Sequence, residues 1–231
     1  VAEMLAERTG AERVRLTTSG SLATMYAIML ARAFTGRDVV LKIEGGWHGA
    51  QPWALFGISP QDGSYDHLES EGLPKSIGGE ALVTPFNDAN TLADIFKRQG
   101  DRIACLIMEP WLGSNCSIPA EPEFIRAARE LTDRHGALLI LDEVIAGFRF
   151  RCGNLGAMYG VQPDLTTLGK IIGGGMPLAA VVGRADVMAL CGRANGSRRV
   201  RFDGGTYSAH PLTLLAAKTM LAYLAEHETE I

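Results

Sequence analysis

The chain has 231 residues, 47% of them hydrophobic and 21% charged, with a formal net charge of -4. These values suit a soluble α/β protein with one substantial core, and the slight acidity offers no basic patch for nucleic acid or an anionic membrane. No apolar run approaches the ~20 residues a membrane-spanning helix needs. Cys105, Cys116, Cys152 and Cys191 are widely spaced with no CxxC pair, which favours a reduced, cytoplasmic protein over a disulfide framework or a zinc site.

The first residues, Val1 to Arg8, mix charged and apolar positions as a helix does, not as a signal peptide does. Arg13-Val14-Arg15-Leu16-Thr17 follows as a short strand. After Thr18-Ser19-Gly20-Ser21 an Ala-, Met- and Leu-rich helix runs to about Phe34, and Val39-Val40-Leu41-Lys42-Ile43 is a buried-type strand. Residues 44–79 are rich in Gly, Pro, Asp and Ser without clear periodicity. A stretch of that length inside a compact domain is usually functional or mobile.

The alternation then resumes. Ala81 to Thr84 reads as a strand, residues 89–98 as a helix opened by Asp88, and Ile103 to Met108 as a strand. A helix is expected near 122–135, then an apolar strand Ala137-Leu138-Leu139-Ile140-Leu141 ending on Asp142-Glu143. Leu178 to Val182 is another apolar strand, and Pro211 to about Ala225 a closing helix with Pro at its start. Continuous apolar strands separated by helices imply a mostly parallel sheet covered on both faces. The ligand of such a sheet sits beyond the carboxyl ends of its strands. No linker divides the chain, so one domain over 1–231 is expected, with both ends reading as cut inside helical patterns.

Four features near those strand ends can carry chemistry. Asp142 directly follows an apolar strand, and a carboxylate there needs a partner; capping the next segment or pairing with Arg149 would satisfy it equally. Lys170 is flanked by apolar residues and then by Gly173-Gly174-Gly175. Burial there would lower its pKa and expose a free amine fit for a Schiff base; a surface lysine in a loop is the alternative. A P-loop is excluded, because Asp164 holds the first glycine position and Ile171 follows the lysine. Ser19-Gly20-Ser21 joins a strand to a helix and can hold an anion or simply cap the helix. Trp47-His48, in Glu44-Gly45-Gly46-Trp47-His48-Gly49, could stack on a flat ring or pack on the core.

In order along the chain, five blocks resemble the class III aminotransferases of fold type I, with particular likeness to glutamate-1-semialdehyde 2,1-aminomutase and its relatives. They are Thr18-Ser19-Gly20-Ser21 with Ala23-Thr24, Lys42 to Gly49, and Leu141-Asp142-Glu143-Val144 with Gly147-Phe148-Arg149. The others are Pro163 to Lys170 with Gly173-Gly174-Gly175, and Gly205-Thr206-Tyr207-Ser208 with Pro211-Leu212. The resemblance implies an α/β large domain that binds pyridoxal 5'-phosphate, lacking the relatives' N-terminal segment and C-terminal small domain.

By the same resemblance, Lys170 carries the cofactor as a Schiff base and shuttles the proton, and Asp142 keeps the ring nitrogen protonated so that the ring is an electron sink. Ser19, Gly20 and Ser21 hold the phosphate. Trp47 stacks on the ring with His48 beside it, and Val144 packs beneath. Thr206 reaches the phosphate of a neighbouring subunit, which implies a homodimer acting on an amino acid or amino aldehyde. The expected activity is amino-group transfer, as an aminomutase or an aminotransferase; a catalytically degenerate binding or scaffold relative is the alternative. Three positions depart from the pattern: Leu22 stands where an acidic residue is usual, Trp47 where Tyr or Phe is common, and Ser114 where Asn or Glu is expected, with Asn115 one step later.

Overall fold

The computed structural model describes residues 1–192, 199–202 and 204–231. Its centre is a seven-stranded sheet in the order β1-β9-β8-β7-β4-β2-β3. The strands are β1 (Arg13–Thr17), β2 (Val39–Ile43), β3 (Ala81–Thr84), β4 (Ile103–Met108), β7 (Leu138–Glu143), β8 (Leu165–Leu168) and β9 (Ala179–Gly183). A separate small ribbon pairs β5 (Trp111–Leu112) with β6 (Ile118–Pro119). The helices are α1 (Ala2–Thr9), α2 (Gly20–Thr35), α3 (Ala89–Gln99), α4 (Pro122–His135), α5 (Ala185–Met188) and α6 (Pro211–Glu226). Among the described residues no helix is long and apolar enough to cross a membrane.

Alternation along each strand decides which helix it meets. Val40, Cys105, Ile107, Leu138, Ile140 and Val181 pack with Ala23, Ala27, Leu30 and Ala31 of α2. On the other face Leu41, Ile43, Leu106, Leu139 and Leu141 pack with Leu92 and Phe96 of α3 and with Phe124, Ile125 and Ala128 of α4. Leu5 of α1 and Ala217, Leu221 and Leu224 of α6 cover Leu168, Ala180 and Val182. Burial on both faces is why β4 is apolar throughout, and β2 and β7 are apolar apart from Lys42 and the terminal Asp142-Glu143. In α4 the buried Phe124, Ile125, Ala128, Leu131 and Thr132 recur at helical spacing. Pro122 opens that helix and Gly136, in the left-handed region, closes it.

Two features differ from the sequence expectation. Leu165–Leu168 is a full strand, although two of its four residues are threonines; it is buried because it lies between β7 and β9. β9 is antiparallel to both β8 and β1. The ten residues 169–178 between β8 and β9, which include a single 3-10 turn at Lys170–Gly173, fall short of the dozen or more that a parallel crossover requires. Reversal twice leaves β1 pointing the same way as β8, β7, β4 and β2. The carboxyl ends of these five strands therefore open on one edge, and the amino end of β9 arrives there too.

Candidate active site

That shared edge holds a cleft of about 270 Å³. It is lined by Ser19, Gly20 and Ser21 at the start of α2, Trp47 and His48 after β2, Glu109 after β4, Asp142 and Val144 at the end of β7, and Lys170 after β8. Strand polarity thus brings together eight of the nine residues singled out from sequence. Thr206 is the exception: it is exposed and does not line its own chain's cleft, though Gly204 accepts a hydrogen bond from Thr17 Oγ1 nearby.

Asp142 forms the floor and is only 4% exposed. The parallel register sets it beside Thr167 on β8, whose hydroxyl donates to Oδ1 at 2.8 Å. The Val144 N–H donates to the same oxygen at 3.1 Å. Its other oxygen, Oδ2, lies 2.8 Å from Nδ1 of His48, which is 1% exposed. Burial lowers the His48 pKa against the pull of Asp142, so the neutral ring donates from Nδ1 and leaves Nε2 as a lone pair. That buried Nε2 has no partner among the described residues. Of the two bland readings of Asp142, capping of the next segment is present in the Val144 N–H contact, whereas pairing with Arg149 is not, because Arg149 donates to the Ile145 carbonyl.

Lys170 corrects one expectation: its side chain is exposed, not buried. The reason is the backbone. Gly169 is extended and Lys170 has φ 47, a left-handed conformation that turns the chain out of β8 at the mouth of the cleft. Among the described residues its amine has no hydrogen-bond or ion-pair partner. A lysine in a strained conformation, lining a cleft and without a hydrogen-bond or ion-pair partner among the described residues, is placed for chemistry rather than packing.

Ser19 does cap α2, its hydroxyl accepting from the Leu22 N–H at 3.3 Å. The cap leaves the first-turn N–H groups of a sixteen-residue helix at the cleft, where the helix dipole favours an anion. Ser21 Oγ accepts from the Ala50 N–H at 3.1 Å, tying the long loop to the same corner. A Cβ on Gly20 would come within 2.8 Å of Val144 Cγ1, so the helix start is pressed against Val144. Trp47 is 39% exposed and lines the same cleft. It also borders a second hollow with Tyr65, Ser114 and Asn115, two of which were noted as departures or their neighbours.

Three contributors were missed from sequence. Thr167 and Lys42 give no local signal beyond a polar residue in an apolar strand. Glu109 could have been found, since like Asp142 it directly follows an apolar strand. It is 2% exposed, and burial together with the Asp142 charge pushes it up to about 8. Residues 50–79 are partly tied down: Glu69 Oε1 accepts from the Ile58 and Ser59 N–H groups, and Trp53 Nε1 donates to Glu80.

The donor set fits pyridoxal phosphate: a helix start suited to an anion, a carboxylate suited to a protonated ring nitrogen, an amine with no partner among the described residues, and Trp47 and Val144 lining the same cleft. Comparison with known proteins agrees. The sequence model of the class III aminotransferases matches residues 1–230. The glutamate-1-semialdehyde 2,1-aminomutase of Neisseria gonorrhoeae (strain ATCC 700825 / FA 1090) is 42% identical over 217 residues, covering 94% of this chain and 50% of that protein. An omega-transaminase from Sphaerobacter thermophilus superposes with a TM-score of 0.90 at 37% identity, over 96% of this chain and 52% of that one. A transaminase with PLP bound gives 0.87 at 33% identity over 96% and 52%. The chain spans about half the length of the curated relatives it matches.

Proposed function

The chain belongs to the class III aminotransferase family, and from that premise we propose that residues 1–231 form the cofactor-binding large domain of a pyridoxal-phosphate enzyme of amino-group transfer. The observation that carries this reading is the meeting of an unpaired Lys170 amine, the Asp142 carboxylate and the α2 amino terminus on one cleft. When bound, pyridoxal phosphate supplies an aldehyde that captures amines and a ring that withdraws electrons from the carbon being deprotonated.

Lys170 Nζ is the atom that would hold the cofactor and, when released, take and return a proton at the substrate carbon. The Thr167 hydroxyl, the Val144 N–H and the His48 Nδ1–H all donate to the Asp142 carboxylate and fix its orientation. A carboxylate so held keeps a proton on the ring nitrogen. Ser19, Gly20 and Ser21 bind phosphate through the helix terminus. Trp47 and Val144 close the two faces of the ring site and exclude water. Exposed Thr206, outside its own cleft, suits a role in the phosphate site of a second copy, and hence a homodimer.

The test is chemical. Protein incubated with pyridoxal phosphate and reduced with borohydride should carry the label on Lys170, and Lys170→Ala should take none. Label elsewhere, or equal labelling of Lys170→Ala, refutes the reading. Turnover of glutamate semialdehyde by the whole protein without an external acceptor indicates an aminomutase, and dependence on a keto acid a transaminase. A loaded but inert protein supports the degenerate alternative.

A further inference from the structure

Two buried ionisable side chains near the cleft have no role in the chemistry above. Lys42 is one of the largest fully buried side chains among the described residues, and its three ammonium protons meet three backbone carbonyls: Gly46 at 2.8 Å, Ala54 at 3.0 Å and Phe56 at 2.7 Å. Glu109 offers both carboxyl oxygens to backbone N–H groups, Oε1 to Trp47 at 3.2 Å and Oε2 to Gly113 at 3.1 Å. The Gly46 carbonyl and the Trp47 N–H belong to the same peptide unit. That unit has a cation at its oxygen and an acid at its N–H, aligned with its own dipole.

We infer that Lys42 and Glu109 are paired positioning residues that grip the Gly46–Trp47 peptide from both ends, fixing Trp47 against the cleft and His48 against Asp142. The inference rests on the cofactor reading for what Trp47 covers, but the grip itself does not. Two apolar side chains would fill the same space without the desolvation cost of burying charge, so packing alone does not account for the pair. What charge adds is direction. Three donors on one atom converge the 45–49 turn and the start of the long loop on β2. Glu109 then joins that turn to the ribbon after β4. His48 follows Trp47 directly, so an error in this peptide moves the ring that bonds Asp142. Either protonation state of Glu109 keeps two oxygens that can accept; a glutamine keeps one and turns an N–H₂ toward the other amide.

The test pairs Glu109→Gln with Trp47→Ala in a double-mutant cycle on pyridoxal-phosphate affinity. Alone, Glu109→Gln should raise Kd about 10-fold, the value of one hydrogen bond to an ionisable group. In the Trp47→Ala background the same change should cost under about 2-fold, because the pair acts through Trp47. Additive losses in the cycle overturn the inference. A second readout needs no cofactor: the near-ultraviolet circular dichroism of Trp47, isolated by difference from Trp47→Phe, should weaken in Glu109→Gln and in Lys42→Met. An unchanged Trp47 band also overturns it. If those variants do not fold, hydrogen exchange of the wild-type Trp47 amide decides, since a gripped N–H is protected and fast exchange refutes the grip. Failure of Lys170 labelling would sink the functional reading and leave these cofactor-free results standing.

Discussion

Gly49→Ala tests how closely the loop after β2 approaches the start of α2. Gly49 has φ +86, and a Cβ there would sit 2.4 Å from Ser21 Oγ, 2.5 Å from Ser21 Cα and 2.7 Å from Ser21 Cβ. The Ser21 hydroxyl could rotate away, but the Cα is backbone in the first turn of a packed helix and cannot. Two costs follow: about 1–2 kcal/mol for a side chain in the left-handed region and about 1–3 kcal/mol for forcing packed groups apart. Gly36 supplies the control. It has φ +71 with nothing within 4 Å of a built Cβ, so Gly36→Ala should show the conformational cost alone. Urea unfolding of cofactor-free protein should therefore place Gly49→Ala about 1–3 kcal/mol below Gly36→Ala. Displacing Ser21 should also break its bond from Ala50 and weaken pyridoxal-phosphate binding, which Gly36→Ala should leave unchanged. Equal unfolding costs for the two variants would refute the close approach.

Two further predictions concern the buried polar groups. Thr167→Val is nearly isosteric and removes a fully buried donor to Asp142; it should cost about 1.5–3 kcal/mol in urea unfolding, the range for a hydrogen bond to a charged group, and a loss below half a kcal/mol contradicts the Asp142 geometry. The second is a pH profile. Burial raises Glu109 from an ordinary 4.5 to about 8 and Glu143 to about 7. A raised folded value means the folded state holds the proton more tightly, so stability present below 4.5 drains as pH climbs toward 8. Each unit is worth about 1.4 kcal/mol, so the decline should reach a few kcal/mol. Lys42 works the other way: burial lowers it from 10.5 to about 8, so stability recovers between those values. Thermal melts should show a minimum near pH 8, and Glu109→Gln should flatten the acid-side slope; an unaltered slope rules out Glu109 as its source.

The sequence by itself determined most of the elements and pointed to the groups proposed to react. Helices such as α4 and strands such as β7 are written in spacing and apolar runs, because burial acts residue by residue through local periodicity. Asp142 was legible as an acid at a strand end, and Ser19 to Ser21 as a turn into a helix. Lys170 was legible as a lysine in an apolar, glycine-rich setting, but its burial was misread. Its exposure follows from a left-handed backbone turn, and apolar neighbours in sequence do not report where a turn points.

What only the tertiary structure decided is which residues meet. His48 and Asp142 are 94 positions apart, and Thr167 reaches Asp142 through the β7–β8 register. β9 reverses because its ten-residue connection falls short of a parallel crossover, and that reversal brings β1 and the start of α2, the proposed phosphate corner, to the same edge as Lys170. Lys42 reads in sequence as a polar interruption of an apolar strand; three carbonyls from a loop without periodicity give it a purpose. Local composition sets the free energy of burying a residue. The partner that makes burying a charge tolerable is chosen by register and chain direction, and these belong to the whole sheet.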